Sequence, residues 1–86
     1  MIKFTTVIGF SEGLHARPAS QLVKVCQSAK SDIKILKGTT EVNPKSILGI
    51  LSLGASHLDE ITIEVSGDDE KVVVQNLKDF FKNAED

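Results

Sequence analysis

The 86-residue chain contains no tryptophan, no tyrosine and only one cysteine, Cys26. One cysteine cannot form a disulfide within the chain, whereas small secreted domains usually depend on several, so we expect a cytoplasmic location. The longest apolar runs are a few residues long, far short of the ~20 residues that span a bilayer, and we expect no membrane insertion. The amino-terminal residues do not have the pattern of a signal peptide.

An excess of charge of one sign is also lacking. Ten basic and twelve acidic residues are mixed along the chain and give a net charge of −2. Proteins that bind nucleic acid usually carry a basic excess, so we expect no nucleic-acid partner. The length predicts one domain, residues 1–86, and the composition is typical of a globular protein.

Hydrophobic periodicity predicts four strands and three helices. Apolar residues alternate over residues 2–8, 32–36 and 60–66, which is the repeat of strands with one buried face. Lys37-Gly38-Thr39 predicts a tight turn into a further strand that ends at Val42. Helical spacing begins at Ala16 and recurs over residues 47–53. A last helix begins near three acidic residues, and its apolar stripe consists of Val73, Val74, Leu77, Phe80, Phe81 and Ala84. The order β-α-β-β-α-β-α predicts an α+β open-faced two-layer sandwich, a four-stranded antiparallel sheet covered on one face by three helices.

His15 is the main candidate for chemistry, because it lies where a loop ends and the first amphipathic helix begins. The N–H groups of Ala16 and Arg17 have no partner within such a helix and point towards an incoming anion. The Arg17 guanidinium adds a fork of donors that suits phosphate oxygens. Imidazole is largely uncharged, and so nucleophilic, near neutral pH. These features predict a phosphoryl-accepting site, although a lone histidine here is more often a cap or a surface residue.

Three segments resemble one family of proteins. Residues 13–20 (GLHARPAS), 45–47 (KSI) and 52–54 (SLG) are similar to the histidine-containing phosphocarriers (HPr) of the bacterial sugar phosphotransferase system. The resemblance covers essentially the whole chain. It implies that His15 accepts a phosphoryl group from phosphorylated enzyme I and passes it to sugar-specific enzyme II A-domains, with assistance from Arg17. We expect a monomer without cofactor or metal, a phosphorylated intermediate rather than an enzyme.

Ser46 has two interpretations. One is an N-cap, whose hydroxyl accepts a hydrogen bond from an amide of the short helix. The resemblance to HPr proteins of Gram-positive type implies the other, phosphorylation by an ATP-dependent kinase that is also a phosphatase, with a transcriptional regulator as a further partner. A phosphate brings about −1.5 to −2 charges to a helix start, where the fold tolerates them.

Ile47, Leu48 and Leu51 are candidates for an exposed apolar patch that docks partner proteins beside His15. Core packing is the competing interpretation, and some apolar residues of the short helix must be core. The resemblance suggests that Ile47 and Leu48 face partners more than the interior.

Alternative functions remain open. A regulatory paralogue of the same fold serves a nitrogen branch or catabolite repression; catabolite-repression paralogues commonly replace the active histidine with glutamine, so His15 favours a carrier. An RNA-binding module shares the element order, but Phe4 is the only aromatic residue on a predicted strand. A hydrolase needs a nucleophile and an orienting carboxylate paired with His15, and no such pairing is visible in the sequence.

Several positions depart from the pattern of the family. Glu12 introduces an acid near His15, and Pro44 precedes the Lys-Ser pair where an aliphatic residue is commoner. Residues 56–58 (SHL) stand where the family usually has a turn with glycine. We expect His57, within that segment, to be a solvent-exposed loop residue and Cys26 to pack as a small hydrophobe.

Overall fold

A computed structural model describes residues 1–83 of the chain. The elements follow the predicted order: β1 (Ile2–Val7), α1 (Ala16–Gln27), β2 (Asp32–Lys37), β3 (Thr40–Val42), α2 (Ile47–Leu53), β4 (Glu60–Ser66) and α3 (Glu70–Lys82). Ala84, which the sequence analysis placed on the last helix, lies outside the described residues.

The four strands form one antiparallel sheet in the order β1-β4-β2-β3. Ile63 of the central strand β4 lies opposite Phe4 on one side and Ile35 on the other. Alternate residues of β4 are buried, as expected for a sheet with helices on one face and solvent on the other. The predicted α+β open-faced sandwich is therefore confirmed.

The core lies between the sheet and the helices. Ile35 and Ile63 from the sheet meet Leu22 of α1 and Leu77 of α3, and all four side chains are fully buried. Burying one such side chain stabilises the fold by roughly 1.5–3 kcal/mol relative to exposing it. Cys26 is also buried, and burial raises the pKa of its thiol to about 12. The thiol therefore stays protonated and packs as a small hydrophobe, as predicted.

The loop that leads into α1 is fixed by the loop between α2 and β4. The N–H of Leu14 donates to the carbonyl oxygen of Ala55 at 3.0 Å, and the N–H of Leu58 donates to that of Ile8 at 2.8 Å. Gly13 has a φ of +71°, and a Cβ atom there would collide with the Ala55 carbonyl oxygen. Only glycine allows this close approach without strain. The position of residues 13–15 thus depends on a loop about forty positions later.

Lys37, the last residue of β2, holds the same loop from the other side. Its Nζ donates to the carbonyl oxygen of Gly54 at 2.8 Å and lies 3.2 Å from Oδ2 of Asp59. The Asp59 carboxylate also accepts a hydrogen bond from the N–H of Ser56 at 2.8 Å. The Ser56 amide and the Lys37 ammonium hold the pKa of the Asp59 carboxyl below its usual range.

Candidate functional site

His15 occupies the N-cap position of α1. Its backbone is extended, with φ −77° and ψ −175°, and its carbonyl oxygen accepts the first helical hydrogen bond, from Ala19 at 2.9 Å. Its side chain makes no capping hydrogen bond within the described chain. The side chain is 37% exposed. The helix start therefore presents the imidazole to solvent without using its nitrogens for capping.

The first turn of α1 supplies positive charge beside this ring. The N–H groups of Ala16 and Arg17 lack intrahelical partners, and the helix macrodipole places about half a positive charge at this end. The first turn contains no acidic side chain. Arg17 is exposed and forms no ion pair with another residue in the range 1–83, which leaves its guanidinium available to an anion.

A surface cavity of about 210 Å³ joins His15 and Arg17. Its remaining lining residues are Phe10, Ser11, Glu12, Pro18 and Gln21. Oε2 of Glu12 lies 3.9 Å from Nδ1 of His15. Ser11 and Gln21 were not predicted from the sequence as parts of this site. Gln21 lies one turn after Arg17 on the same helix face, so helical spacing contained the signal for it.

Ser46 is the N-cap of α2. Its Oγ accepts a hydrogen bond from the N–H of Gly49 at 3.3 Å, which confirms the capping interpretation. The backbone before it is also fixed, because Asn43 accepts hydrogen bonds from the N–H groups of Lys45 and Ser46. Ser46 is exposed. Its modification stays a prediction, and the cap does not remove the hydroxyl from solvent.

The apolar residues of α2 divide between two faces. Ile50 and Leu53 are buried, as expected for the part of the set that belongs to the core. Ile47, Leu48 and Leu51, which we call the docking patch, are 39%, 75% and 44% exposed. Helix α2 packs against α1, the helix that begins beside His15. An apolar surface of this kind is typical of a protein-binding site.

The uncovered face of the sheet bears on the RNA-binding alternative. Phe4 points to the opposite, helix-covered face, where it packs against the core and the Lys78 ammonium lies 5.4 Å from its ring centre. The other three phenylalanines lie in the loop after β1 and on α3. Within residues 1–83, the uncovered face therefore has no aromatic ring on which a base stacks, which disfavours that alternative.

Residues 1–83 contain no cluster of three or more histidine, cysteine or acidic side chains arranged to hold a metal ion. No helix among them is long and apolar enough to cross a membrane. His57, the second histidine, lies exposed in the loop between α2 and β4, as predicted.

The sequence and the fold are both similar to those of known proteins. A family model described as the PTS HPr component phosphorylation site matches residues 2–83. Phosphocarrier protein HPr of Mycoplasma genitalium is 42% identical over 79 residues, which are 91% of this chain and 90% of that protein. HPr-C-His from Thermoanaerobacter tengcongensis has a TM-score of 0.92 at 38% identity, with 95% of this chain and 92% of that chain covered. Crh, a Bacillus subtilis catabolite-repression protein described as a swapped dimer, has a TM-score of 0.78 at 30% identity, with 99% and 98% covered.

Proposed function

The chain belongs to the HPr family of phosphotransferase-system phosphocarriers, and on this basis we propose that His15 accepts a phosphoryl group from phosphorylated enzyme I and passes it to sugar-specific enzyme II A-domains. The observation that carries the proposal is an exposed imidazole at the start of α1, in one cavity with Arg17. The protein acts as a single domain, residues 1–86, in the cytoplasm. It is a transiently phosphorylated intermediate rather than a catalyst.

Apart from the nucleophilic imidazole itself, the proposed transfer needs mainly positioning and electrostatic stabilisation of the phosphoryl group. The lone pair of a ring nitrogen attacks phosphorus, the bond between phosphorus and the donor breaks, and its electron pair leaves with the donor. Onward transfer reverses these roles, with the acceptor protein supplying the attacking group. The first-turn amides and Arg17 stabilise the charge that moves with the phosphoryl group.

The assignment of His15 is tested by incubating the protein with phosphoenolpyruvate and enzyme I and measuring its mass. We expect one added phosphoryl group that is labile in acid and stable in base. His15→Ala should abolish the label, whereas His57→Ala, which removes the other histidine, should keep it. Absence of label on the unaltered protein would exclude the carrier function, and a label that persists in His15→Ala would exclude the site.

The proposed role of Arg17 predicts a slower transfer when its charge is removed. Arg17→Met should lower the rate of phosphorylation by roughly 10- to 100-fold, because one group that stabilises the transferring phosphoryl charge is lost. Lys71→Met is a matched control, since it removes one exposed positive charge from α3. Equal rates for the two variants would contradict the role of Arg17.

The docking patch is proposed as the contact surface for enzyme I and the enzyme II A-domains. Leu48→Ala should raise the KM of enzyme I for this protein by roughly 5- to 10-fold and leave kcat unchanged. The reason is that the patch contributes to binding and not to the chemical step. Val72→Ala is the control, since Val72 is 63% exposed on α3. A change in kcat alone would argue against docking.

Phosphorylation of Ser46 by a kinase that is also a phosphatase is proposed as regulation of the same surface, with a transcriptional regulator as a further partner. Ser46→Asp retains a capping acceptor for the Gly49 amide and places negative charge beside the docking patch. We expect an unchanged melting temperature and slower phosphorylation by enzyme I. Thr39→Asp adds the same charge at the exposed β2–β3 turn and should have no effect on the rate.

The similarity to Crh favours one second candidate, a regulatory paralogue for catabolite repression or a nitrogen branch. His15 weighs against the catabolite-repression type. Onward transfer from the phosphorylated protein to a sugar-specific enzyme II A-domain distinguishes a sugar carrier from a nitrogen-branch carrier. Because that relative is described as a dimer, the expected monomer is checked by sedimentation equilibrium.

A further inference from the structure

Glu12 is the feature of the His15 cavity that the proposed function leaves unexplained. Its carboxylate oxygen Oε2 lies 3.9 Å from Nδ1 of His15. This distance is too long for a hydrogen bond but short enough for two charges to interact electrostatically. The Glu12 side chain is 76% exposed, so no packing or buried polar contact accounts for its position. It is the only acidic residue among the described residues that line this cavity.

We propose that Glu12 lowers the stability of the phosphorylated form and thereby favours the onward transfer of the phosphoryl group. The proposal rests on the proposed function, since it requires that His15 carries that group. Its basis is the position of a carboxylate on the Nδ1 side of the ring, within the same cavity as the Arg17 guanidinium.

The proposal requires that the reacting nitrogen is Nδ1, the ring nitrogen that lies 3.9 Å from Oε2 of Glu12. In the transfer, the Nδ1 lone pair forms the bond to phosphorus, and the electron pair of the broken bond leaves with the donor. The proton of the neutral ring stays on Nε2. The phosphoryl oxygens then carry negative charge on the side of the ring that faces Glu12.

Glu12 acts electrostatically on the phosphorylated form. After transfer, its carboxylate repels the phosphoryl oxygens. Arg17 acts in the opposite sense, because it attracts those oxygens from the first turn of the helix. Attraction by Arg17 and repulsion by Glu12 act together on the phosphoryl group. The cavity therefore binds this group without stabilising the phosphorylated form so strongly that onward transfer is prevented.

The expected size of the effect follows from distance and exposure. Two unit charges about 4 Å apart interact with roughly 1 kcal/mol in water, and more near a protein surface. Exposure and salt reduce this value, because the Debye length is about 10 Å at 0.1 M ionic strength and about 3 Å at 1 M. We therefore expect Glu12 to shift the phosphorylation equilibrium by about 3- to 10-fold at low salt and by less at high salt.

The test measures the ratio of phosphorylated to unphosphorylated protein at equilibrium with enzyme I and fixed concentrations of phosphoenolpyruvate and pyruvate. Glu12→Gln keeps the size and removes the charge, and should raise this ratio by about 3- to 10-fold at low salt. The gain should shrink in 1 M salt. Glu12→Asp keeps the charge on a shorter side chain and should give an intermediate ratio. Glu41→Gln, which removes an exposed carboxylate from β3, is the control and should leave the ratio unchanged.

The outcomes separate this inference from the proposed function. An unchanged ratio in Glu12→Gln, with the unaltered protein phosphorylated on His15, would overturn the role of Glu12 and leave the carrier function intact. A rise that is independent of salt would also overturn it, because a structural effect is not screened. Failure of enzyme I to phosphorylate the unaltered protein would instead overturn the carrier function itself.

Discussion

The carboxylate of Asp69, at the start of α3, accepts a hydrogen bond from the hydroxyl group of Ser31, which lies between α1 and β2. The same carboxylate also accepts hydrogen bonds from the backbone N–H groups of Lys30 at 2.8 Å and Ser31 at 2.9 Å. Asp69 makes no side-chain capping bond to its own helix. Its carboxylate therefore connects the start of α3 to the loop between α1 and β2, which is far away in sequence.

Because of these hydrogen bonds to Asp69, we expect the free energy of unfolding to fall in acid. The Ser31 hydroxyl and the neighbouring amides lower the pKa of the Asp69 carboxyl from 3.8, the value for an unperturbed aspartate. A carboxyl whose pKa is lower in the folded state stabilises the fold above the unfolded-state value, and this contribution is lost as the pH falls through the folded-state pKa. Asp69→Asn should therefore be less stable than the unaltered protein at pH 7, with the gap closing below about pH 4.

Urea unfolding measured between pH 7 and pH 2 checks this prediction. Asp68→Asn is the control, because Asp68 is exposed and makes no hydrogen bond to another residue of the described chain. A gap between Asp69→Asn and the unaltered protein that stays constant over this range would contradict the prediction. Phosphorylation by enzyme I should be unaffected at pH 7, since Asp69 does not line the His15 cavity.

A second prediction concerns the stability of the loop that contains Gly13 and leads to His15. Gly13→Ala combines a positive φ with a collision against the Ala55 carbonyl oxygen, so we expect a loss of more than roughly 2 kcal/mol in unfolding free energy. Gly38→Ala is a matched control, because Gly38 has a φ of +58° and open space where a Cβ atom would lie. It should cost only about 1 kcal/mol. Equal losses, measured by urea unfolding, would show that the contact with Ala55 is unimportant.

Substitution of Leu58 by glycine should stabilise the protein. It is 68% exposed and has a φ of +71°, a conformation that strains a leucine by about 1–2 kcal/mol. Leu58→Gly removes this strain but adds about 0.5–1 kcal/mol of unfolded-state entropy, so we expect a net gain of roughly 0.5–1 kcal/mol. Leu58→Ala retains the strain and should give no gain. Thermal unfolding of both variants distinguishes relief of strain from removal of an exposed side chain.

Removal of the Lys37 ammonium should increase local opening of the backbone near the site. Lys37→Met removes the contacts to Gly54 and Asp59, and we expect the amide of Leu14 to exchange its hydrogen about 3- to 10-fold faster. The reason is that this amide donates to Ala55, in the loop that Lys37 holds. Lys34→Met breaks only the ion pair with Glu41 and is the control. Unchanged exchange at Leu14 would mean that the loop keeps its position without Lys37.

Much of the fold was predictable because its signals are local. The i, i+3, i+4 spacing of α1 and the alternation of β4 both repeat within a few residues, and the structure confirms the predicted element order. Ser46 shows the same for a helix start, since a capping serine is recognised from neighbouring positions alone. The elements required no knowledge of the rest of the chain.

The sequence by itself determined the elements, the family and the segment around His15, because each is encoded by residues close together in the chain. Only the tertiary structure decided that Asp69 binds Ser31, that Lys37 holds the loop beside Leu14, and which side of α2 is exposed. Those relationships join residues that become neighbours when the helices pack on the sheet. A periodic pattern specifies which face of an element is buried, but the partners across that face depend on how the whole chain packs.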